Sequence, residues 1–149
     1  MPIRFFQEGI NFQLKQKNLL RKWLMDSSQA EGFSIQSLTF VFMDDESLLA
    51  LNRQYLKHDE YTDIITFDLS EKSGRKKKEI EGEIYISVER VKENAKTFGK
   101  AFQEELHRVM IHGVLHLCGY RDKTSASQKK IRAMEDFYLK KLKKEITSQ

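Results

Sequence analysis

The stretch VMIHGVLHLCGYRD, residues 109–122, is the most apolar run in a chain otherwise rich in charge, and it holds two of the four histidines. The apolar residues around these histidines predict a helix that is buried on most sides. His112 and His116 share one face of that helix, with Cβ atoms about 5–6 Å apart, so both imidazoles can bind the same metal ion. Helical histidines also bond to carbonyl groups or stabilise a helix C-terminus, so the pair alone leaves these roles open.

The residues that follow the pair favour a metal site. Gly113 lets another element approach the helix closely, and Gly119 is placed to end the helix in a left-handed conformation and reverse the chain. The carboxylate of Asp122 can then return to the same metal, which predicts a site with two histidines, one carboxylate and open positions for water. In the alternative interpretation, Asp122 caps the next helix or pairs with Arg121 or Lys123.

Composition predicts one domain spanning residues 1–149, because 40% hydrophobic and 32% charged residues are typical of a globular protein of this length. The apolar runs are much shorter than the roughly 20 residues that cross a bilayer, and the N-terminus lacks the pattern of a secretory signal. We therefore expect a cytoplasmic protein without a membrane partner. The net charge of +4 includes the cluster GRKKK at residues 74–78. Such a cluster suits an anionic partner, for which nucleic acid is the first candidate. In the alternative interpretation, it is a solvated loop tip.

The rest of the chain predicts an α+β fold, with a small mixed β-sheet of about four strands packed against about five helices. The expected strands cover residues 3–8, 37–43, 63–69 and 79–87. The expected helices cover residues 15–29, 44–56, 88–98, 102–118 and 125–144. The last two strands are predicted to form an antiparallel hairpin, joined by the basic loop. The metal site is expected at the C-terminal end of the buried helix.

A family resemblance rests on three segments. HGVLHLCGYRD, residues 112–122, resembles the signature H-G-x-L-H-L-x-G-Y-D-H of the YbeY endoribonuclease family. LNRQYLKHDEYTDIITFD, residues 51–68, resembles the family segment L-N-x-x-Y-R-x-K-D-x-x-T-D-V-L-S-F, and EGEIYIS, residues 81–87, resembles its G-D-I-x-I-S strand. The resemblance implies a single α+β domain, a bound zinc ion and cleavage of single-stranded RNA. It further implies a role in maturation of small-subunit ribosomal RNA and in ribosome quality control.

Two positions depart from the family pattern. Asp122 stands where the family has a third histidine, and this anionic ligand extends the expected metal from Zn²⁺ to Mn²⁺ or Fe²⁺. Leu56 stands where the family has an arginine thought to contact the phosphate. Lys57 and His58 follow it and can supply a cation, and His58 can also shuttle protons near neutral pH. Lys57 and His58 are therefore the candidate catalytic residues, with a solvated loop as the alternative.

The position after His112 bears on the reaction. Metalloproteases with the H-E-x-x-H motif carry their catalytic glutamate there, whereas this chain has Gly113. Phosphodiester cleavage does not need that glutamate, because a metal ion can activate water or polarise the phosphoryl oxygen. His107 lies on another side of the helix and is left outside the site.

The sequence thus predicts a metal-dependent endoribonuclease that acts in ribosomal RNA maturation. Its predicted metal ligands are His112, His116 and Asp122. Its predicted RNA-binding residues are Arg75, Lys76, Lys77 and Lys78, together with the C-terminal lysines. The expected partners are single-stranded or ribosomal RNA, with small-subunit ribosomal proteins and assembly GTPases as further candidates. A ribosome-binding assembly factor with a structural metal is the second hypothesis, and a hydrolase of other substrates is the third.

Overall fold

The computed structural model of the chain describes residues 2–70 and 78–148. Over these residues the strands are β1 (Ile3–Glu8), β2 (Ser34–Met43), β3 (Ile64–Asp68) and β4 (Glu79–Ser87). The helices are α1 (Lys17–Ala30), α2 (Asp45–Leu51), α3 (Val88–Phe98), α4 (Phe102–Leu117) and α5 (Ser125–Thr147). None of these helices has the length and hydropathy needed to cross a bilayer. The predicted α+β composition of four strands and five helices is confirmed for the described ranges.

The four strands form one mixed sheet in the order β1-β2-β4-β3. Strand β2 runs parallel to β1 and to β4, whereas β3 runs antiparallel to β4, with Ile64 opposite Ile86. The predicted antiparallel pairing of the last two strands is therefore confirmed. The basic loop that joins them, residues 71–77, lies outside the described residues.

The helix predicted over residues 44–56 is divided into two parts. Helix α2 ends at Leu51 and is followed by a π-helical turn, Asn52–Leu56, which ends at Lys57 with a φ of 56°. The side-chain amide of the buried Asn52 donates a hydrogen bond to the backbone oxygen of Glu60 at 2.8 Å. This bond fixes the start of the loop that leads into β3, because it ties the turn to a residue eight positions later.

Helix α4 lies close against the inner face of the sheet, and two glycines permit this approach. A Cβ atom at Gly113 would lie 2.9 Å from Cδ1 of Ile84 and 3.0 Å from Cδ1 of Ile64. A Cβ atom at Gly82 in β4 would lie 3.0 Å from Cδ1 of Leu117 on α4, and 2.9 Å from the backbone oxygen of Phe67 on β3. The predicted close approach at Gly113 is confirmed, and the neighbour is the sheet itself. The packing buries α4 on most sides and holds its C-terminal half in a fixed position.

Candidate metal centre

The side chains of His112, His116 and Asp122 meet at the C-terminal end of α4. The Nε2 atoms of the two histidines are 2.9 Å apart. Oδ2 of Asp122 lies 3.5 Å from Nε2 of His112 and 3.3 Å from Nε2 of His116. In a tetrahedral zinc site with bonds of about 2.0–2.1 Å, neighbouring ligand atoms lie about 3.3–3.4 Å apart. The two oxygen–nitrogen separations are close to this value, and the nitrogen–nitrogen separation is shorter. The three residues, called the triad here, are thus close enough together to hold one divalent metal ion.

A chain reversal after α4 brings Asp122 back to the histidines. Gly119 adopts a φ of 99°, in the left-handed region that glycine tolerates. The backbone N–H of Gly119 donates to the carbonyl of His116, and that of Tyr120 donates to the carbonyl of Leu115, both at 3.0 Å. These two bonds satisfy carbonyl groups that the helix end would otherwise leave free. The predicted left-handed helix end at Gly119 is confirmed.

The structure shows neither of the alternative roles of Asp122, which were capping of α5 and an ion pair with Arg121 or Lys123. The N-terminal cap of α5 is Thr124, whose hydroxyl accepts a hydrogen bond from the backbone N–H of Ser127 at 3.0 Å. Asp122, Arg121 and Lys123 all belong to the described part of the chain, and neither basic residue forms an ion pair with Asp122 there. The carboxylate of Asp122 is 42% exposed and points to the two imidazoles.

Each histidine of the triad is oriented through its second ring nitrogen. Nδ1 of His112 lies 2.5 Å from Oε2 of Glu135, and Nδ1 of His116 lies 2.9 Å from the backbone oxygen of Tyr120. Both partners are hydrogen-bond acceptors, which assigns the proton of each neutral ring to Nδ1 and the lone pair to Nε2. A buried carboxylate or carbonyl behind a metal-binding histidine is the usual arrangement in zinc proteins. The donor set therefore fits a metal ion.

Glu135 is the functional residue that sequence reasoning missed. It is only 3% exposed and lies on α5, where its other oxygen, Oε1, accepts a hydrogen bond from Nη1 of Arg108 at 2.9 Å. The buried residues Ile131, Glu135, Tyr138 and Leu142 recur at helical spacing on α5. An acidic residue within such an apolar stripe is a signal of a buried partner, because an unpaired buried carboxylate is strongly unfavourable.

The electrostatics of the metal-free site favour protonation of His112. Burial alone lowers the pKa of His112, but the hydrogen bond and the negative charge of Glu135 outweigh burial and raise it above its ordinary value. The charges of Asp122 and Asp63 act in the same direction. Burial raises the pKa of the Asp63 carboxyl, and a charged His112 partly opposes that rise. Protons therefore compete with a metal ion for His112, and metal binding is favoured as the pH rises.

A pocket of about 630 Å³ opens beside His112 and Asp122. This volume lies within the range of small-ligand sites, about 300–1,000 Å³. Away from the triad, its polar and aromatic lining comes from Asp63, Asn94, Phe98, Glu105, Arg108, Ser125, Gln128, Lys129, Arg132 and Glu135. Lys129 and Arg132 lie on the exposed side of α5 and form no ion pair within residues 2–70 and 78–148. The pocket thus brings together the triad, the exposed cations Lys129 and Arg132, and the carboxylates of Asp63, Glu105 and Glu135.

The structure does not bring the two candidate catalytic residues to the triad. Lys57 and His58 are exposed, and Nδ1 of His58 lies 4.0 Å from Oε1 of Glu60. Among the described residues, neither one lines the pocket or contacts a member of the triad. Leu56, which replaces the family arginine, is 43% exposed. The catalytic roles of Lys57 and His58 stay predictions.

Only one of the four predicted RNA-binding residues can be described. Arg75, Lys76 and Lys77 lie outside the described residues. Lys78 is exposed, and its Nζ lies 4.6 Å from the centre of the Phe33 ring. Its role in RNA binding stays a prediction.

Two other groups of the α4 segment lie outside the triad. His107 is 6% exposed, and its Nε2 has no hydrogen-bond partner among the described residues. Burial lowers the pKa of His107 to about 4, so this ring is neutral at physiological pH. Burial raises the pKa of the Cys118 thiol to about 12, so this cysteine stays protonated. Both observations agree with packing roles.

Comparisons with known proteins identify the family of this chain. A family model described as Endoribonuclease YbeY matches residues 3–143. A protein named Endoribonuclease YbeY from Cytophaga hutchinsonii is 48% identical over 134 residues, which cover 90% of this chain and 91% of the relative. One of the same name from Flavobacterium psychrophilum is 45% identical over 135 residues, which cover 91% and 93%. The solution structure of a Thermotoga maritima protein aligns with a TM-score of 0.67 and 30% identity, covering 98% of this chain and 92% of that one. The predicted resemblance is confirmed, and the chain belongs to the YbeY endoribonuclease family.

Proposed function

We propose that this protein is a metal-dependent, single-strand-specific endoribonuclease that acts in the cytoplasm on small-subunit ribosomal RNA and in ribosome quality control. The observation that carries the proposal is the triad of His112, His116 and Asp122 in a chain of the YbeY family. Three protein ligands are typical of catalytic zinc sites, which keep one position open, whereas structural sites have four. No fourth histidine, cysteine or acidic residue joins the triad within the described ranges. This count favours catalysis over a structural metal.

The donor set supports zinc as the bound metal, with manganese or iron as the alternatives that the Asp122 carboxylate allows. A divalent ion in this position supplies a Lewis acid for the phosphoryl oxygen and lowers the pKa of a water molecule. The residues of this chain hold and orient that ion. Glu135 fixes the ring of His112, and the carbonyl of Tyr120 fixes the ring of His116.

The free cations beside the triad support an RNA substrate. Lys129 and Arg132 line the same pocket as His112, and their charges favour contact with the phosphate groups of a bound RNA. The net charge of +4 favours the same polyanion. Small-subunit ribosomal proteins and assembly GTPases are the proposed protein partners on the ribosome.

The contact between α4 and the sheet argues against peptide hydrolysis. A metalloprotease of the H-E-x-x-H type needs a glutamate at position 113. A side chain there would begin with a Cβ atom 2.9 Å from Cδ1 of Ile84, so the close packing of α4 leaves no room for it. The site therefore supports phosphodiester cleavage better than peptide cleavage.

The test is cleavage of an end-labelled single-stranded RNA and of the matching duplex by the zinc-loaded protein. We expect internal cleavage of the single strand only, and loss of that cleavage after chelation and in His116→Ala. The control is His107→Leu, which changes a histidine of the same helix outside the triad and should cleave like the parent. Binding of RNA without cleavage under zinc, manganese and iron would instead support an assembly factor with a structural metal. Cleavage that persists in chelator would contradict the proposal.

A further inference from the structure

Helix α3 ends at the pocket with an exposed aromatic side chain, Phe98. Phe98 lines the same pocket as His112 and Asp122, and it is 58% exposed. Its ring packs against no other aromatic ring and no cation in the described part of the chain. Isolated exposed aromatic residues are common on protein surfaces, so exposure alone does not mark a binding residue. The position of this one beside the triad is the informative feature.

The neighbours of Phe98 in the pocket complement its flat apolar ring. Asn94 lies four residues earlier, on the same face of α3, and its side-chain amide forms no hydrogen bond to another described residue. Lys129 and Arg132 enter the same pocket from α5. The pocket therefore offers an aromatic ring, an amide for the edge of a base, and cations for a phosphate backbone. An aromatic ring beside cations is a common arrangement in proteins that bind single-stranded nucleic acid.

We propose that Phe98 stacks on one unpaired nucleobase of the RNA, next to the phosphodiester bond held at the triad. The inference rests on the proposed endoribonuclease function and adds a base-binding residue to it. Stacking is tolerant of sequence, because every base has a π-face. The bases of a duplex are already paired and stacked and are not available to such a ring. Phe98 thereby contributes to the preference for single strands.

Three substitutions separate stacking from simple apolar contact. Phe98→Leu keeps an apolar side chain but removes the flat ring, and Phe98→Trp keeps a ring that can stack. Phe137→Leu is the matched control, because Phe137 is 48% exposed on α5 and does not line the pocket. The exposure of both phenylalanines means that the changes should leave the fold intact, which the thermal unfolding midpoint checks.

The experiment uses the zinc-loaded protein and a short single-stranded RNA with phosphorothioate linkages that slow cleavage. The fluorescent base 2-aminopurine is placed at each position in turn, because its emission is quenched when it stacks on an aromatic ring. Dissociation constants are taken from the same titrations, and cleavage of the unmodified RNA is measured in parallel to give KM and kcat.

We expect quenching at one position with the parent, Phe98→Trp and Phe137→Leu. Phe98→Leu should lose this quenching, and its dissociation constant and KM should rise at least fivefold, since stacking of one base contributes about 1–3 kcal/mol. If the parent cleaves RNA but Phe98→Leu shows the same quenching and affinity as the parent, the stacking inference is overturned and the proposed function is not. A parent that neither binds nor cleaves RNA overturns the proposed function and this inference with it.

Discussion

The substitution Glu135→Gln tests how the protein tunes the proposed metal centre. Glu135 lies behind His112, with Oε2 at 2.5 Å from Nδ1, and its Oε1 accepts from Arg108 at 2.9 Å. Glutamine has nearly the same shape, so the packing of this 3% exposed side chain is preserved while its charge is removed. The amide oxygen can still accept from Nδ1 of His112. The amide nitrogen then takes the place of Oε1 and cannot accept from Nη1 of Arg108. The substitution therefore removes the negative charge and the hydrogen bond from Arg108, while it keeps the acceptor for His112.

The expected loss of zinc affinity is about 10- to 30-fold. Changes to partners behind metal-binding histidines weaken metal binding by about 10–100-fold, and the retained amide oxygen places this change in the lower part of that range. The loss corresponds to about 1.4–2 kcal/mol. The charge of Glu135 also raises the pKa of His112 in the metal-free protein. The glutamine variant should lower that pKa, so protons compete less and the affinity deficit should narrow as the pH falls.

The assay is competition for zinc against a chromogenic chelator, repeated at several pH values. Asp136→Asn is the matched control, because Asp136 is the next residue and binds the same arginine, with Oδ1 at 2.6 Å from Nη2 of Arg108. The carboxylate of Asp136 is 60% exposed, and its substitution should leave zinc affinity within about twofold of the parent. Equal zinc affinities for the two variants at every pH would refute the role of Glu135.

Three further predictions concern other parts of the structure. Asp122→Ala should weaken zinc binding at least 100-fold in the same assay, whereas Asp122→His should retain it, because imidazole is also a good zinc ligand; equal binding by both would remove Asp122 from the metal site. Gly82→Ala should lower the free energy of unfolding by about 2 kcal/mol in urea, because its Cβ would lie 2.9 Å from the backbone oxygen of Phe67; unchanged stability would contradict the close packing. Burial lowers the pKa of His107 to about 4 from an ordinary value of 6.5. The unfolded chain therefore binds a proton at His107 before the folded protein does, and stability falls as the pH drops from about 6.5 toward about 4. Between these pH values the free energy of unfolding of the metal-free parent should fall by about 3 kcal/mol more than that of His107→Leu in denaturant titrations. Equal decreases in the two proteins would mean that the pKa of His107 in the folded protein is near its ordinary value.

The sequence predicted the features that depend on neighbouring residues. The spacing of His112 and His116 follows from the period of one helix, and the end of that helix follows from Gly119. The antiparallel pairing of β3 and β4 was likewise predicted, since these strands are consecutive in the chain. Asp122 follows Gly119 by only three residues, so the return of its carboxylate to the histidines could be predicted from local geometry.

Features that depend on distant parts of the chain were not predicted. Glu135 meets His112 across 23 residues and a change of helix, and periodicity alone does not say which buried residue of α4 an acid on α5 will meet. The placement of β4 between β2 and β3 is also a nonlocal outcome, because it requires a crossover that strand patterns do not specify. The π-helical turn after Leu51 continues a helical pattern, so its i to i+5 bonding leaves no mark in the sequence.

The most direct test of the account is a titration of the metal-free protein with zinc in which bound metal and RNA cleavage are measured together. We expect cleavage of single-stranded RNA to rise in proportion to bound zinc and to stop rising at one ion per chain. We also expect that His112→Ala and His116→Ala neither bind that ion nor cleave. Full cleavage by the metal-free parent, or parent-like zinc binding and cleavage in both variants, would contradict the claim that the triad is a catalytic metal centre.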